Sequence, residues 1–134
     1  MELKKTVQTF YQVVNNNLET ITVKNSLKEA KEFIKSNKID ATVLKPEFVI
    51  DANNQQAILY GVTQKTVHDK LIHYDDFLWA NEKEARKFYE SNLLDFKKEL
   101  EKDNSNNLQQ YIEKENEIRT DSSYLIFRKY QIDL

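Results

Sequence analysis

The chain of 134 residues has no cysteine, one glycine, one proline, one tryptophan and two histidines. Each shortage removes a class of chemistry. Without cysteine there is no disulfide framework, no thiolate nucleophile and no cysteine-built zinc site. A single glycine, Gly61, can write neither the GxGxxG fingerprint nor a P-loop, so Gly-rich phosphate cradles are excluded. No Gly-x-Ser-x-Gly elbow is present either, and no serine sits in a context that names its base. Arginine is scarce: Arg86, Arg119 and Arg128 stand against seventeen lysines. Bidentate reading of phosphate and guanine favours arginine, and the net charge is −2, so both features disfavour nucleic acid as the partner. No apolar run approaches the roughly 18 to 20 residues of a membrane span, and the alternating start MELKKTVQTFYQVV is not a signal-peptide core. A cytoplasmic protein without cofactor is the expectation.

The remaining composition is that of a soluble globular chain: 40% hydrophobic and 31% charged residues, enough for one domain spanning 1–134 with its own core. The clearest helical signal is Asn81–Lys102. Asn81 can accept from the free N–H groups of a first turn, with Glu84 at the capping-box position. Ala85, Tyr89, Leu93, Phe96 and Leu100 then recur every three or four residues, flanked by Phe88 and Asn92. An earlier segment echoes it: KEAKEFIKSN (28–37) and KEARKFYESN (83–92) match at Lys, Glu, Ala, Phe, Ser and Asn, and Ser26 with Glu29 repeats the cap. The echo suggests two similar strand–helix units. Shared helix propensity, drawn on twice, is the plainer explanation.

Strands are read at 3–14 and 18–24, joined by an Asn15–Asn17 turn, and around Pro46 as either two short strands or a broken edge strand. Residues 56–62 include the apolar run Ala57–Tyr60, the best central strand, with Gly61 marking a bulge or tight bend. Strands at 70–74 and 77–79 lead into the main helix. A third helix is expected over Leu108–Ile118 and a last strand over Tyr124–Ile132. The order ββα-βββ-αα-β is α+β: an antiparallel sheet of five to six strands with two or three helices packed on one face.

Candidate chemistry is sparse. His68 and His73, near Asp69, Asp75 and Asp76, form the best metal or acid–base group, with His68, His73 and Asp75 as the candidate ligands of a metal-dependent hydrolase. A spacing of five on one regular strand would put the two imidazoles on opposite faces, which favours ordinary polar surface. Aromatics are plentiful, with seven Tyr and seven Phe, and many fall on strands. Tyr11, Tyr60, Trp79, Arg128, Lys129 and Tyr130 are the candidate binding residues. Interleaved with Lys4 and Lys5, such a basic–aromatic face could stack on bases, although strand propensity explains the aromatics as well. From Glu99 to Asp121 seven acids face Lys102, Lys114 and Arg119, an acidic patch that serves solubility or docks a basic partner.

By elimination the expected function is a small non-enzymatic binding protein acting through a protein–protein surface, with a homodimer through an open sheet edge as one form. Thirteen Asn and many Lys and Ile suggest an A+T-rich coding genome, and so a phage or mobile-element accessory protein that binds a host or defence protein. The nucleic-acid-binding module is the alternative, and the His68/His73 hydrolase the third reading.

Overall fold

The computed structural model describes residues 4–68, 70–103 and 111–134. Its elements run β1 (Lys5–Thr9), β2 (Tyr11–Asn15), β3 (Thr20–Lys24), α1 (Leu27–Asn37), β4 (Ala41–Leu44), β5 (Glu47–Asp51), β6 (Gln56–His68), β7 (Leu71–Trp79), α2 (Glu82–Asp103), β8 (Ile112–Lys114), β9 (Glu117–Arg119) and β10 (Tyr124–Asp133). All strand pairings are antiparallel, in sheets ordered β1-β5, β3-β2-β4 and β7-β6-β10-β9-β8. The α+β class read from the sequence holds.

The helix caps form as the sequence dictates. Ser26 Oγ accepts from Glu29 N at 3.2 Å and Asn81 Oδ1 from Glu84 N at 3.1 Å, each occupying an otherwise free first-turn donor. On α2, Ala85, Tyr89, Phe96 and Leu100 are buried, with Leu93 and Phe88 packed beside them. They meet Val62, Leu125, Phe127 and Ile118 on one face of the five-stranded sheet. The opposite face of that sheet carries Ala57, Leu59 and Ile132, which join Phe10 and Val23 in a second core against the N-terminal strands. The central sheet is therefore covered on both sides. Phe10 is fully buried in this second core, and Val13 and Val14 of β2 are both buried too. The two helices do not share one sheet: α1 packs on β2, β3 and β4, while α2 packs on β6, β7 and β10.

The first strand is two strands. At Phe10 the chain leaves β1, which pairs with β5, and enters β2, which pairs with β3 and β4. The Phe10 N–H donates to Pro46 O at 2.9 Å, so this break faces the one Pro46 makes between β4 and β5. Where a third helix was expected, Ile112–Lys114 and Glu117–Arg119 form a hairpin instead. Only Ile118 of its apolar residues is buried; Tyr111 and Ile112 are exposed. Alternation through Ile118 and Thr120 about the Glu115–Asn116 turn is a period of two, which outweighs the short helical pattern. Leu108–Gln110, the start of that expected helix, lies outside the described residues. Residues 70–74 and 77–79 are one strand, β7.

The helix echo extends to the topology. The hairpin β2–β3, helix α1 and strand β4 give the order β3-β2-β4, in which the strand after the helix returns to the first hairpin strand. The hairpin β6–β7, helix α2 and strand β10 give β7-β6-β10, the same connectivity, with β8–β9 as an insertion. Each unit is preceded by a leading strand, β1 or β5, and these two pair with each other. Even a local detail repeats. Asn37 and Asn92 each donate a side-chain N–H to the carbonyl of a phenylalanine four residues back, Phe33 and Phe88, both at 2.8 Å.

Gly61 is not at a bulge. It sits in regular register between Leu78 and Arg128, with no positive φ. A Cβ there would stand 2.9 Å from Tyr130 Cε2 and 3.3 Å from Leu78 Cδ2, so the glycine makes room for the Tyr130 ring.

Candidate interaction edge

The six candidate binding residues divide between two faces. Tyr60 pairs across strands with Trp79 on one side and Lys129 on the other, all on the α2 face. Lys129 Nζ lies 5.9 Å from the Tyr60 ring centroid and 3.6 Å from Glu82 Oε1. Arg128 and Tyr130, one residue to either side of Lys129, turn to the opposite face because strand side chains alternate. Tyr11 is half-buried on β2, opposite Lys24. The structure therefore does not join the six into one patch.

Arg128 and Tyr130 belong to a polar seam between the sheets. The Thr20 N–H, at the outer edge of β3, donates to Asp76 Oδ2 at 2.5 Å, and Thr20 O accepts from Arg128 Nη1 at 3.2 Å. Two side chains of the central sheet thus satisfy both backbone groups of an edge residue. Gln12 Nε2 donates to Thr20 Oγ1 at 2.6 Å. Asp76 Oδ1, Thr63 Oγ1 and the Tyr130 hydroxyl are buried here without a well-formed hydrogen bond. Burial pushes the Asp76 carboxyl above its usual range, against the opposing pull of Thr20, Thr63 and the Arg128 charge. Burial likewise raises the Tyr130 hydroxyl, assisted by the Asp76 charge.

The sign of the pH effect follows. A carboxyl whose folded pKa is raised lends the fold a contribution that is complete below the ordinary aspartate range and lost as pH rises through the raised value. Asp76→Asn keeps an acceptor for Thr20 but cannot ionise. Relative to wild type, its unfolding free energy is expected to climb with pH across that window, measured by urea titration from about pH 4 upward. Parallel pH profiles would remove Asp76 as the origin.

The two histidines stand on different strands. The hairpin turn sets His68 on β6 opposite Leu71 and His73 on β7 opposite Thr66, so the single-strand spacing argument does not apply. His73 Nε2 and Asp75 Oδ1 pair at 3.3 Å on exposed strand surface. Among the described residues no three His, Asp or Glu side chains gather as metal ligands. Asp69 lies outside the described residues.

Sequence reasoning missed the β7 edge. β7 ends the five-stranded sheet, and among the described residues its outer side pairs with no strand. Leu71, Ile72 and Phe77 along it are 78%, 58% and 45% exposed. On the α2 face Phe77, Trp79 and Phe88 form an aromatic cluster, with ring centroids 5.0 to 6.1 Å apart. Near the other end of the sheet a row crosses it: Tyr74, Lys65, Tyr124 and Arg119 occupy directly opposed positions on four successive strands. Lys65 Nζ stands 5.8 and 5.9 Å from the two tyrosine rings, and the Arg119 guanidinium 5.2 Å from Tyr124. The run Leu71–Trp79 holds no lysine or proline, the residues that commonly guard an edge, so nothing within it marks an edge in advance.

Comparison with known protein families, curated proteins and solved structures finds no match. A hollow between Gln64, Val67, Phe96 and Ser123 holds about 100 Å³, well below the several hundred Å³ of a typical small-molecule site, and a wider one of about 420 Å³ between α1 and the end of β10 lies more open to solvent. No helix among the described residues is long and apolar enough to cross a membrane.

Proposed function

We propose that the chain is a small, non-enzymatic, cytoplasmic protein-binding module that recruits its partner through the β7 edge and the Phe77–Trp79–Phe88 cluster beside it. One observation carries this reading: a strand edge, unpaired among the described residues, along which Leu71 and Ile72 are exposed and Phe77, exposed as well, belongs to a ring cluster. Unpaired backbone N–H and C=O groups give such an edge affinity, and alternate side chains give it selectivity. The Asn- and Lys-rich composition is consistent with an accessory protein of a phage or other mobile element that engages a host or defence protein.

The test is capture of binding proteins by the full chain, wild type against Leu71→Lys/Ile72→Lys. Both positions are exposed, so the variant is expected to keep its fold and its melting temperature while losing the captured protein. Capture that is indifferent to the two lysines would dispose of this surface as the site for another protein.

A nucleic-acid-binding module is the second reading, supported by the Tyr74–Lys65–Tyr124–Arg119 row, since rings interleaved with cations suit stacked bases. It requires binding that weakens with salt and with Lys65→Ala.

A further inference from the structure

We propose that the occupant of the β7 edge is a second copy of this chain, paired antiparallel about a two-fold axis at Tyr74, so that two five-stranded sheets join into one. This rests on the reading of β7 as the interaction edge and names its partner.

The register follows from the side chains. An axis through Tyr74 and normal to the sheet sets Leu71 of one copy opposite Phe77 of the other and His73 opposite Asp75. Directly opposed residues share a face. Leu71, His73, Asp75 and Phe77 are all on the α2 face, because Phe77 opposes Val62 of the α2-side core. On that face the contact would lay Leu71, the most exposed large apolar residue of β7, on the half-exposed Phe77 ring of the other copy. At the centre, the two His73–Asp75 pairs close into a square in which each imidazole has a carboxylate on its own strand and another across the axis. An imidazole N–H can donate to a carboxylate in either protonation state.

Neighbouring registers fail on the same residues. An axis at Asp75 opposes two Asp75 carboxylates, and one at His73 opposes two imidazoles and sets Leu71 against Asp75. Like charges directly opposed destabilise a sheet. Charges on an edge strand ordinarily discourage pairing, and Asp75 does so in every register that leaves it facing itself or an apolar side chain. Only the Tyr74 axis among these gives it a complementary partner.

The opposite face agrees with this choice. The axis brings Tyr74 against Tyr74, and the row Arg119, Tyr124, Lys65 and Tyr74 then continues without interruption into its own mirror sequence across the joined sheet. Ile72 comes diagonally beside Tyr74 and Leu78 of the other copy, within reach of large side chains. Asp76, opposite Ile72, is already engaged by Thr20 within its own chain.

Sedimentation velocity on the full chain over a micromolar concentration series tests the proposal. Wild type is expected to pass from one to twice the chain mass as concentration rises. His73→Asp opposes two carboxylates, and Asp75→Lys opposes a lysine to an imidazole. Each variant alone should dimerise on the order of tenfold more weakly or worse, with the melting of the dilute monomer little changed because His73 is exposed and Asp75 half-exposed. Mixing the two variants sets the new carboxylate of one against the new ammonium of the other across the axis and should restore the dimer. Wild type that stays monomeric, or a mixture that restores nothing, overturns the proposal. If the chain is monomeric yet its capture of another protein still fails in Leu71→Lys/Ile72→Lys, the edge reading survives and only the second copy is eliminated. Indifference in both experiments removes both.

Discussion

Phe127→Ala should lower the unfolding free energy by about 3 to 5 kcal/mol, the range for removing a large buried aromatic whose site cannot collapse. Phe127 is nearly inaccessible and lies at the meeting of three elements. Its ring is 5.9 Å from Tyr89 of α2, edge-on, and 6.1 Å from Tyr60 of β6. The Arg86 guanidinium caps it at 3.8 Å while donating to Asn116 Oδ1 at 2.7 Å in the β8–β9 turn. The Phe127 N–H donates to Asn116 O at 2.8 Å, so this residue adds to the Arg86–Asn116 and Lys97–Glu113 contacts that hold the hairpin against the helix. Alanine therefore leaves a void and also withdraws the surface on which Arg86 rests. Urea unfolding is the measurement, with an unchanged slope expected and a lower midpoint. Phe77→Ala is the comparison. Its half-exposed ring has water on one side already, and a loss as large as that of Phe127→Ala would mean the helix-side core has been misplaced.

Gly61→Val should cost about 1 to 3 kcal/mol, even though valine is the better strand residue. The cost comes chiefly from one neighbour, the Tyr130 ring, which must leave the space a Cβ would enter, with Leu78 giving way less. The effect should depend on that neighbour. In a Tyr130→Ala background the same change is expected to become neutral or favourable, and a coupling of roughly 1 kcal/mol or more in the double-mutant cycle would assign the strain. Additive effects would instead mean that the glycine serves the backbone. Tyr130 also lies in the seam with Asp76 and Arg128, so displacing its ring should perturb the Thr20 contacts as well.

The two helices were legible because everything that makes them is local: a capping side chain, an apolar stripe, and for α1 a left-handed Lys38 that ends it. The α+β class and the turn at Asn15 followed from alternation and turn chemistry, although Leu18, not an asparagine, takes the left-handed conformation. Sheet membership was not legible. Nothing within residues 5 to 15 states that the chain changes sheets at Phe10, because the determinant is Pro46 O, distant in sequence. The reason for Gly61 was equally hidden, since its neighbour Tyr130 is contributed by the last strand. Among the candidate site residues, the alternation that separates Arg128 and Tyr130 from Lys129 could have been read in advance. The open edge of β7 could not, because edge or interior position is settled by strand order, a tertiary fact.

The pairing of β1 with β5 carries a mechanical consequence. Each of these strands leads one hairpin–helix–strand unit and finds its mate in front of the other, so the two-stranded ribbon they form ties the halves of the chain together, and neither half alone would hold it complete.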